Sequence, residues 1–542
     1  MEWRPISIEP TRAQRYVRGG FWDDQTLGSL LADGLRAAGS EPFTVRSDRE
    51  PFRGRLDDVL DLARRVATGL RARGMGSGDA IAFQLPNWLE AAATFYAVAL
   101  LGGVVVPIVH FYGPKEVGYI LRRTSVKGLV TTSTFGHVDY VANLDALRAS
   151  EAGLPDLEWV SLVGAPSRDG YVPFADLGHE DPIEAPVAVD PAAPALVAYT
   201  SGTTSEPKGV VHSHRTIGAE TRQLGAMQRD GPPPLTGAPV GHAIGMLAAL
   251  LLPVHRGHGI HLIDVWDPGK VLAAMLDDDL SAGQGATFFL TSLLDHPDFD
   301  RVRHGALMPY IGLGGSAVPA AVTERARALG IECSRSFGST EHPSITGSGP
   351  DDPWDQRCLT DGAPLPGVEL RLVDDDGRDV ATGEAGEIWS RGPDCSWGYT
   401  DPALTTSAFT DDGWYATGDI GMLDERGCLS ITDRKKDIII RGGENISALE
   451  VEEVLLRIPG VAEVAVVAAP DVRLGEHAAA FVRMLPDVEA PSLVAMRAAL
   501  DVAGLARQKW PEDLYRVDAL PRTPSGKVQK FVLRDQLRSD GS

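Results

Sequence analysis

The chain has 542 residues, a formal net charge of -23 and 43% hydrophobic residues, a length beyond one ordinary core that predicts a large body with an appended domain. So acidic a protein repels phosphate backbones and anionic lipid, which excludes nucleic acid and the membrane surface as partners and demands a local cationic site for any anionic substrate. Four scattered cysteines, Cys333, Cys358, Cys395 and Cys428, form no C-x-x-C pair, the usage of a reducing compartment without a disulfide framework or zinc site.

The first twenty residues hold no apolar segment followed by small residues, so no secretory leader is read and a cytoplasmic location is expected. Between about 56 and 71, Val59, Leu60, Leu62, Ala63, Val66, Ala67 and Leu70 fall on one helical face, and the apolar run Ala80 to Leu85 follows a glycine-rich turn. Helix packed on strand is predicted there. Ala91 to Val109 imitates a membrane span, but Gly102-Gly103 and Pro107 divide it into a helix and a short buried strand. Strands near 128–132 and 195–200 and a helix near 320–329 continue the alternation, which predicts a layered α/β body. Val368 to Val373 reads as a strand entering the Asp374–Gly377 turn, with a second strand around Glu387 to Ser390, and predicts a β-rich subdomain. The acidic turn lacks the glycine at position six of a calcium loop, so a solvated hairpin is expected.

After Asp433 the pattern restarts as a small α+β unit. It reads as a strand over 438–440, a Gly-Gly turn, and a helix opened by a Ser447/Glu450 capping box and closed by Gly460. Strands over 464–468 and 479–484, a helix over 493–500 and a final strand, loop and helix complete it. The expected division is a large body over 1–432, a hinge over 433–437 and a small mobile C-terminal domain over 438–542.

The segment from Tyr199 to Val210 places Thr200, Ser201, Gly202, Thr203, Thr204 and Lys208 in a loop after a strand. Hydroxyls and backbone N–H groups donate to phosphoryl oxygens, glycine permits close approach, and lysine supplies charge, so the loop suits a polyphosphate. It is not a Walker A loop, since G-x-x-x-x-G-K-[ST] does not occur.

This segment resembles the phosphate-binding signature of the adenylate-forming superfamily, and four more segments match in the superfamily's order: Phe337-Gly-Ser-Thr-Glu341, Trp414-Tyr-Ala-Thr-Gly-Asp419, Asp433-Arg-Lys-Lys-Asp437 with Arg441-Gly-Gly-Glu444, and Pro521 to Lys527. The resemblance implies an ATP-dependent acyl-CoA synthetase that joins a small carboxylic acid to AMP and passes it to coenzyme A. Glu341 would meet Mg2+ carried by ATP, with Thr340 facing the phosphates. Phe337 would offer an aromatic face on which adenine stacks, with Gly338 beside it, Gly315 would leave room, and Asp419 and Arg434 would hold the ribose. Lys527 would bridge the two reacting anions, and it is one of only nine lysines, with Lys208, Lys435 and Lys436 also in motifs. Lys436 is the implied pivot, and Gly442, Gly443 and Glu444 would border the coenzyme A arm. His242, in Pro239 to Gly245, would guard the carboxylate site. Ser205, Phe337 and Asp433 stand where the superfamily often has glycine, tyrosine and glycine.

Several alternatives are read beside these. Met308 to Ala317 fits G-x-G-x-x-A before a helix, with Glu332 at the spacing of a ribose-binding acid, the pattern of an NAD-dependent dehydrogenase. A free-standing acyl-AMP ligase loading a carrier protein and a non-catalytic binder are others, and a homodimer is compatible with the chain. His255, His258 and His261 lack acidic or cysteine partners nearby, so a surface strand is expected in place of a metal site. Ala506 to Glu512 and His342-Pro343 faintly resemble ligases for alicyclic or medium-chain acids.

Overall fold

The computed structural model describes residues 6, 8–164, 168–200, 206–442, 444–471, 473–486, 488–523 and 526–540. Seven strands form the central sheet in the order Lys208–Ser213, Pro194–Thr200, Val104–Pro107, Ala80–Gln84, Gly128–Thr132, Trp159–Val163 and Val172–Pro173. All neighbours run parallel except the first pair. Parallel strands are buried on both faces, and these alternate accordingly. Ile81, Phe83, Val105 and Val130 join the cluster under helices Leu56–Ala72 and Leu89–Leu100. Ala82, Val104, Val106 and Leu129 face helices Pro114–Arg123 and Tyr140–Ala149. Each fully buried Leu or Val adds roughly 1.5–3 kcal/mol relative to exposure.

The membrane-like run is divided as its glycines predict, into helix Leu89–Leu100 and strand Val104–Pro107 with Gly102 at φ +66 between them. Among the described residues no helix is long and apolar enough to cross a membrane. A second sheet orders Leu235–Thr236, Ile260–Ile263, Pro42–Arg46 and Phe52–Arg55, and Tyr310–Leu313 pairs with Glu332–Arg335. The β-rich part is an antiparallel sheet of Glu369–Val373, Gly386–Arg391, Tyr415–Leu423 and Leu429–Arg434. The chain then crosses to the C-terminal sheet, where Glu444–Ile446, Ile439–Arg441, Gly475–Met484 and Val461–Asp471 are consecutive and Asp513–Arg516 joins Gly475–Met484. Two apolar clusters line its opposite faces.

Three local expectations differ. The helix opened by Ser447 ends at Leu455, and Gly460, at φ +84, instead turns the chain into Val461–Asp471. Ser447 accepts from the Glu450 N–H, but the Glu450 carboxylate is taken by Lys509 at 2.6 Å and the capping box forms only on one side. Of the three histidines only His261 lies on a strand, and it is buried against Thr44 at 2.8 Å. Among the described residues no cluster of histidine, cysteine and carboxylates is arranged for a metal.

Candidate active site

The phosphate-suited loop joins strands Pro194–Thr200 and Lys208–Ser213, which pair antiparallel with Thr200 opposite Lys208. Its ends are therefore fixed by the sheet. Ser201, Gly202, Thr203, Thr204 and Ser205 lie outside the described residues. The Lys208 ammonium stands 5.6 Å from the centroid of the Tyr399 ring, and the Tyr399 hydroxyl donates to Glu341 Oε1 at 2.6 Å. Burial and the adjacent Glu341 carboxylate push the Tyr399 phenol far above its usual range, so it remains a donor.

Glu341 and Thr340 are held by their backbones. His212 Nε2 meets the Thr340 carbonyl at 2.7 Å, which fixes it as the donor, and the Ser396 N–H donates to the Glu341 carbonyl at 2.8 Å. Burial lowers the His212 pKa and keeps the ring neutral. The loop is sharp because Gly338 passes under the chain ahead of it. A Cβ there would lie 1.8 Å from the Pro343 carbonyl oxygen, closer than any side chain allows. Phe337 packs among Ile345, Leu372, Ile388 and Leu429 and is only 7% exposed. Behind the loop His342 meets Ser390 at 2.8 Å and Asp394 at 3.2 Å, all fully buried.

Asp419 sits directly across the sheet from Arg434, which donates to it at 2.6 Å. Asp419 is 4% exposed and follows Gly418, which sits at φ +73 within the strand. Asp433 turns the other way: its carboxylate accepts from the Ala448 N–H at 3.0 Å, and Ser447 Oγ donates to the Thr432 carbonyl at 2.8 Å.

Lys527 reaches this place from the far end of the chain. Its loop is braced by Thr523, whose N–H donates to the Lys527 carbonyl at 2.7 Å and whose hydroxyl accepts from the Lys527 N–H at 3.1 Å. Burial, then the cations Arg434 and Lys436, bring its pKa down to about 8 against the pull of Asp419 and Asp437. His242 is brought to about 4, chiefly by burial and further by the Lys527 charge beside it. It is neutral at ordinary pH, and its buried Nδ1 has no hydrogen-bond partner among the described residues. Gly315, at φ +74, faces Ile244 two residues on, where a Cβ would stand 3.2 Å from the Ile244 side chain.

Lys527, Asp419, Arg434 and His242 are thus gathered at one place, and Glu341 shares Tyr399 with Lys208. Gly442 and Glu444 lie elsewhere, on the exposed turn between Ile439–Arg441 and Glu444–Ile446, with the Gly442 N–H bonded to the Leu474 carbonyl at 2.8 Å. Gly443 lies outside the described residues, and Lys436 is exposed in the crossing between sheets. His212, Tyr399 and Asp394 carry no motif that marks them in the sequence, whereas His342 follows the Phe337 to Glu341 motif directly. The dehydrogenase pattern is not realised: Tyr310–Leu313 belongs to a two-stranded sheet, and Arg357 holds the Glu332 carboxylate at 2.5 Å.

A cation set among Asp419, Arg434 and a neutral histidine in an acidic protein suits anionic ligands. Comparison with known proteins agrees. Residues 56–400 match the AMP-binding enzyme family and residues 450–527 its C-terminal domain. The chain is 32% identical over 540 residues to the medium-chain fatty-acid–CoA ligase of Escherichia coli (strain K12), covering 98% of this chain and 94% of that one. It is 34% identical over 494 residues to a Rhodococcus jostii (strain RHA1) propanoyl:CoA ligase whose acyl chain bears a methyl-dioxo-octahydroindene ring system, covering 88% and 93%. The crystal structure of ATP-bound MatB from Rhodopseudomonas palustris superposes with a TM-score of 0.83 at 27% identity, over 96% of this chain and 100% of that one. The chain therefore belongs to the AMP-binding enzyme family, and within it to the acyl-CoA ligases, which split ATP to AMP and pyrophosphate as they join an acid to a thiol.

Proposed function

We propose that this acyl-CoA ligase acts in the cytoplasm on a medium-length aliphatic or alicyclic carboxylic acid, and that one cleft runs adenylation before the C-terminal domain turns and admits coenzyme A. The observation that carries it is Lys527 lowered beside Asp419, Arg434 and His242. The acid class is supported by the two relatives named above, one for a medium chain and one for a fused-ring acid.

In the first step Asp419 accepts from the ribose hydroxyls, with Arg434 holding the carboxylate in place. The Thr200–Lys208 loop donates to the phosphates. Lys527, charged, stands between the acid's carboxylate and the α-phosphate and stabilises both as negative charge moves to pyrophosphate. His242, neutral, borders the carboxylate without adding a competing charge. ATP enters with Mg2+, whose chemistry there is neutralisation of phosphate charge. Glu341 fits it, as a hard carboxylate with one oxygen occupied by Tyr399 and Thr340 beside it. Phe337, buried among Ile345, Leu372, Ile388 and Leu429, offers adenine little of the stacking face that the resemblance implies, and Gly315 and Gly338 leave space.

In the second step the domain over 438–542 turns about Lys436 within the hinge 433–437. Lys527 withdraws and the Gly442, Gly443, Glu444 turn faces the acyl-adenylate, where missing side chains admit a slender thiol arm. The decisive experiment measures acid-dependent pyrophosphate release over aliphatic, alicyclic and aromatic acids, with and without coenzyme A. Release with medium-chain or alicyclic acids is expected, and none with any acid would end the proposal. Gly443→Leu should spare pyrophosphate exchange and block thioester output; normal output would remove the assignment of this turn to the coenzyme A arm.

A further inference from the structure

Phe288 stands in the first turn of helix Thr287–Leu294, where the body meets the C-terminal domain. The lysine loop rests on it. A Cβ on Gly526, the residue before Lys527, would lie 3.1 Å from Phe288 Cβ and 3.2 Å from Ala286 Cβ. Gly526 has φ +87, so the turn and the close approach both require glycine. From the other side, the Arg522 guanidinium lies 5.4 Å from the centroid of the Phe288 ring. Arg522 also donates to the Gly526 carbonyl, closing the loop, and to Glu463 at 2.6 Å on strand Val461–Asp471. The next residue, Phe289, packs with Ala238, Ala286 and Trp266, a cluster that Phe288 also touches and whose Ala238 lies four residues ahead of His242. Phe288 therefore touches both the lysine loop and the apolar cluster that Phe289 centres.

We propose that Phe288 is a positioning residue for adenylate formation: its ring seats Arg522 and Gly526, and so fixes Lys527 over the reacting anions in that arrangement alone. The inference rests on the two-arrangement reading above. A contact present in only one arrangement favours that arrangement and the step it serves. A guanidinium over an aromatic face at a partly dry boundary is worth roughly tenfold in that balance.

Phe288→Ala should lower kcat for acid-dependent pyrophosphate exchange roughly tenfold while KM for ATP stays within about twofold. Phe288→Tyr should restore the rate, and conversion of supplied acyl-adenylate to thioester should be unchanged in both. Equal loss of the two half-reactions, or undiminished exchange, would overturn the assignment. If Phe288→Ala does not fold, Arg522→Lys tests the same contact from the other side and should slow exchange alone. Lys527→Ala run alongside separates the two ideas. If it loses exchange and keeps thioester formation while Phe288→Ala loses neither, only the Phe288 seat is wrong. If Lys527→Ala loses both equally, the two-arrangement reading falls and takes the seat with it.

Discussion

In the proposed first step Lys527 acts as a cation, and its site makes that proton easy to lose. With a pKa near 8, the charged form disappears as the pH rises through that value, so the basic limb of kcat/KM for the acid, which reports the free enzyme, should fall from about pH 8. Bound ATP raises the pKa again, and the basic limb of kcat should lie higher. The stability effect has the opposite sense. A lysine depressed below its ordinary 10.5 burdens the fold fully below about pH 8, and the burden fades as the pH climbs toward 10.5. Lys527→Ala should abolish exchange while leaving thioester formation from supplied acyl-adenylate, measured by coenzyme A consumption. Lysine scarcity made Lys527 readable from the sequence. His212 and Tyr399 were not readable, because a histidine on a core strand and a tyrosine in a loop are ordinary until the fold sets one on the Thr340 carbonyl and the other on Glu341.

Elements show the same division. The helix Leu56–Ala72 and the split at Gly102-Gly103 follow from periodicity and punctuation, which are local. Gly460 misled because glycine after an apolar helix is the usual stop, whereas here the helix ended earlier and the glycine serves the following strand. Glu450 was claimed by Lys509, 59 residues away, a partner no short window contains. The Phe337 to Glu341 loop gives a prediction at this scale. Gly338→Ala forces a methyl into the Pro343 carbonyl, so it should cost about 1–3 kcal/mol of stability in urea unfolding. The same displacement moves the Thr340-Glu341 backbone off His212, and exchange should fall further than stability alone explains.

Across the whole molecule, beside the Ser447 bond to the Thr432 carbonyl at 2.8 Å, the polar contacts described between the body and the C-terminal domain are weak. Arg483 and Arg457 approach Asp295 and Glu324 at 4.0 Å, and the Ala320 N–H donates to Glu453 at 3.3 Å. Partly exposed pairs of this kind are worth about 1 kcal/mol or less. Arg457→Ala should therefore leave the unfolding midpoint nearly unchanged and shift the ratio of exchange to thioester rates by no more than about fivefold. A larger shift would mean that these charges, and not the apolar contact under the lysine loop, hold the arrangement. That the body and appended domain exist was legible in the order of motifs, but which face of the appended domain meets the body was not, since it depends on side chains more than a hundred residues apart.

The bond from the Ala448 N–H to Asp433 joins the first turn of a C-terminal helix to the last strand of the body's β-rich sheet. If the small domain swings about Lys436, this amide is bared to water during each excursion and shielded on each return. Its deuterium uptake would thus record the fraction of time spent swung away. One backbone proton, followed in resting and turning-over enzyme, would then act as a clock for the catalytic cycle without any attached label.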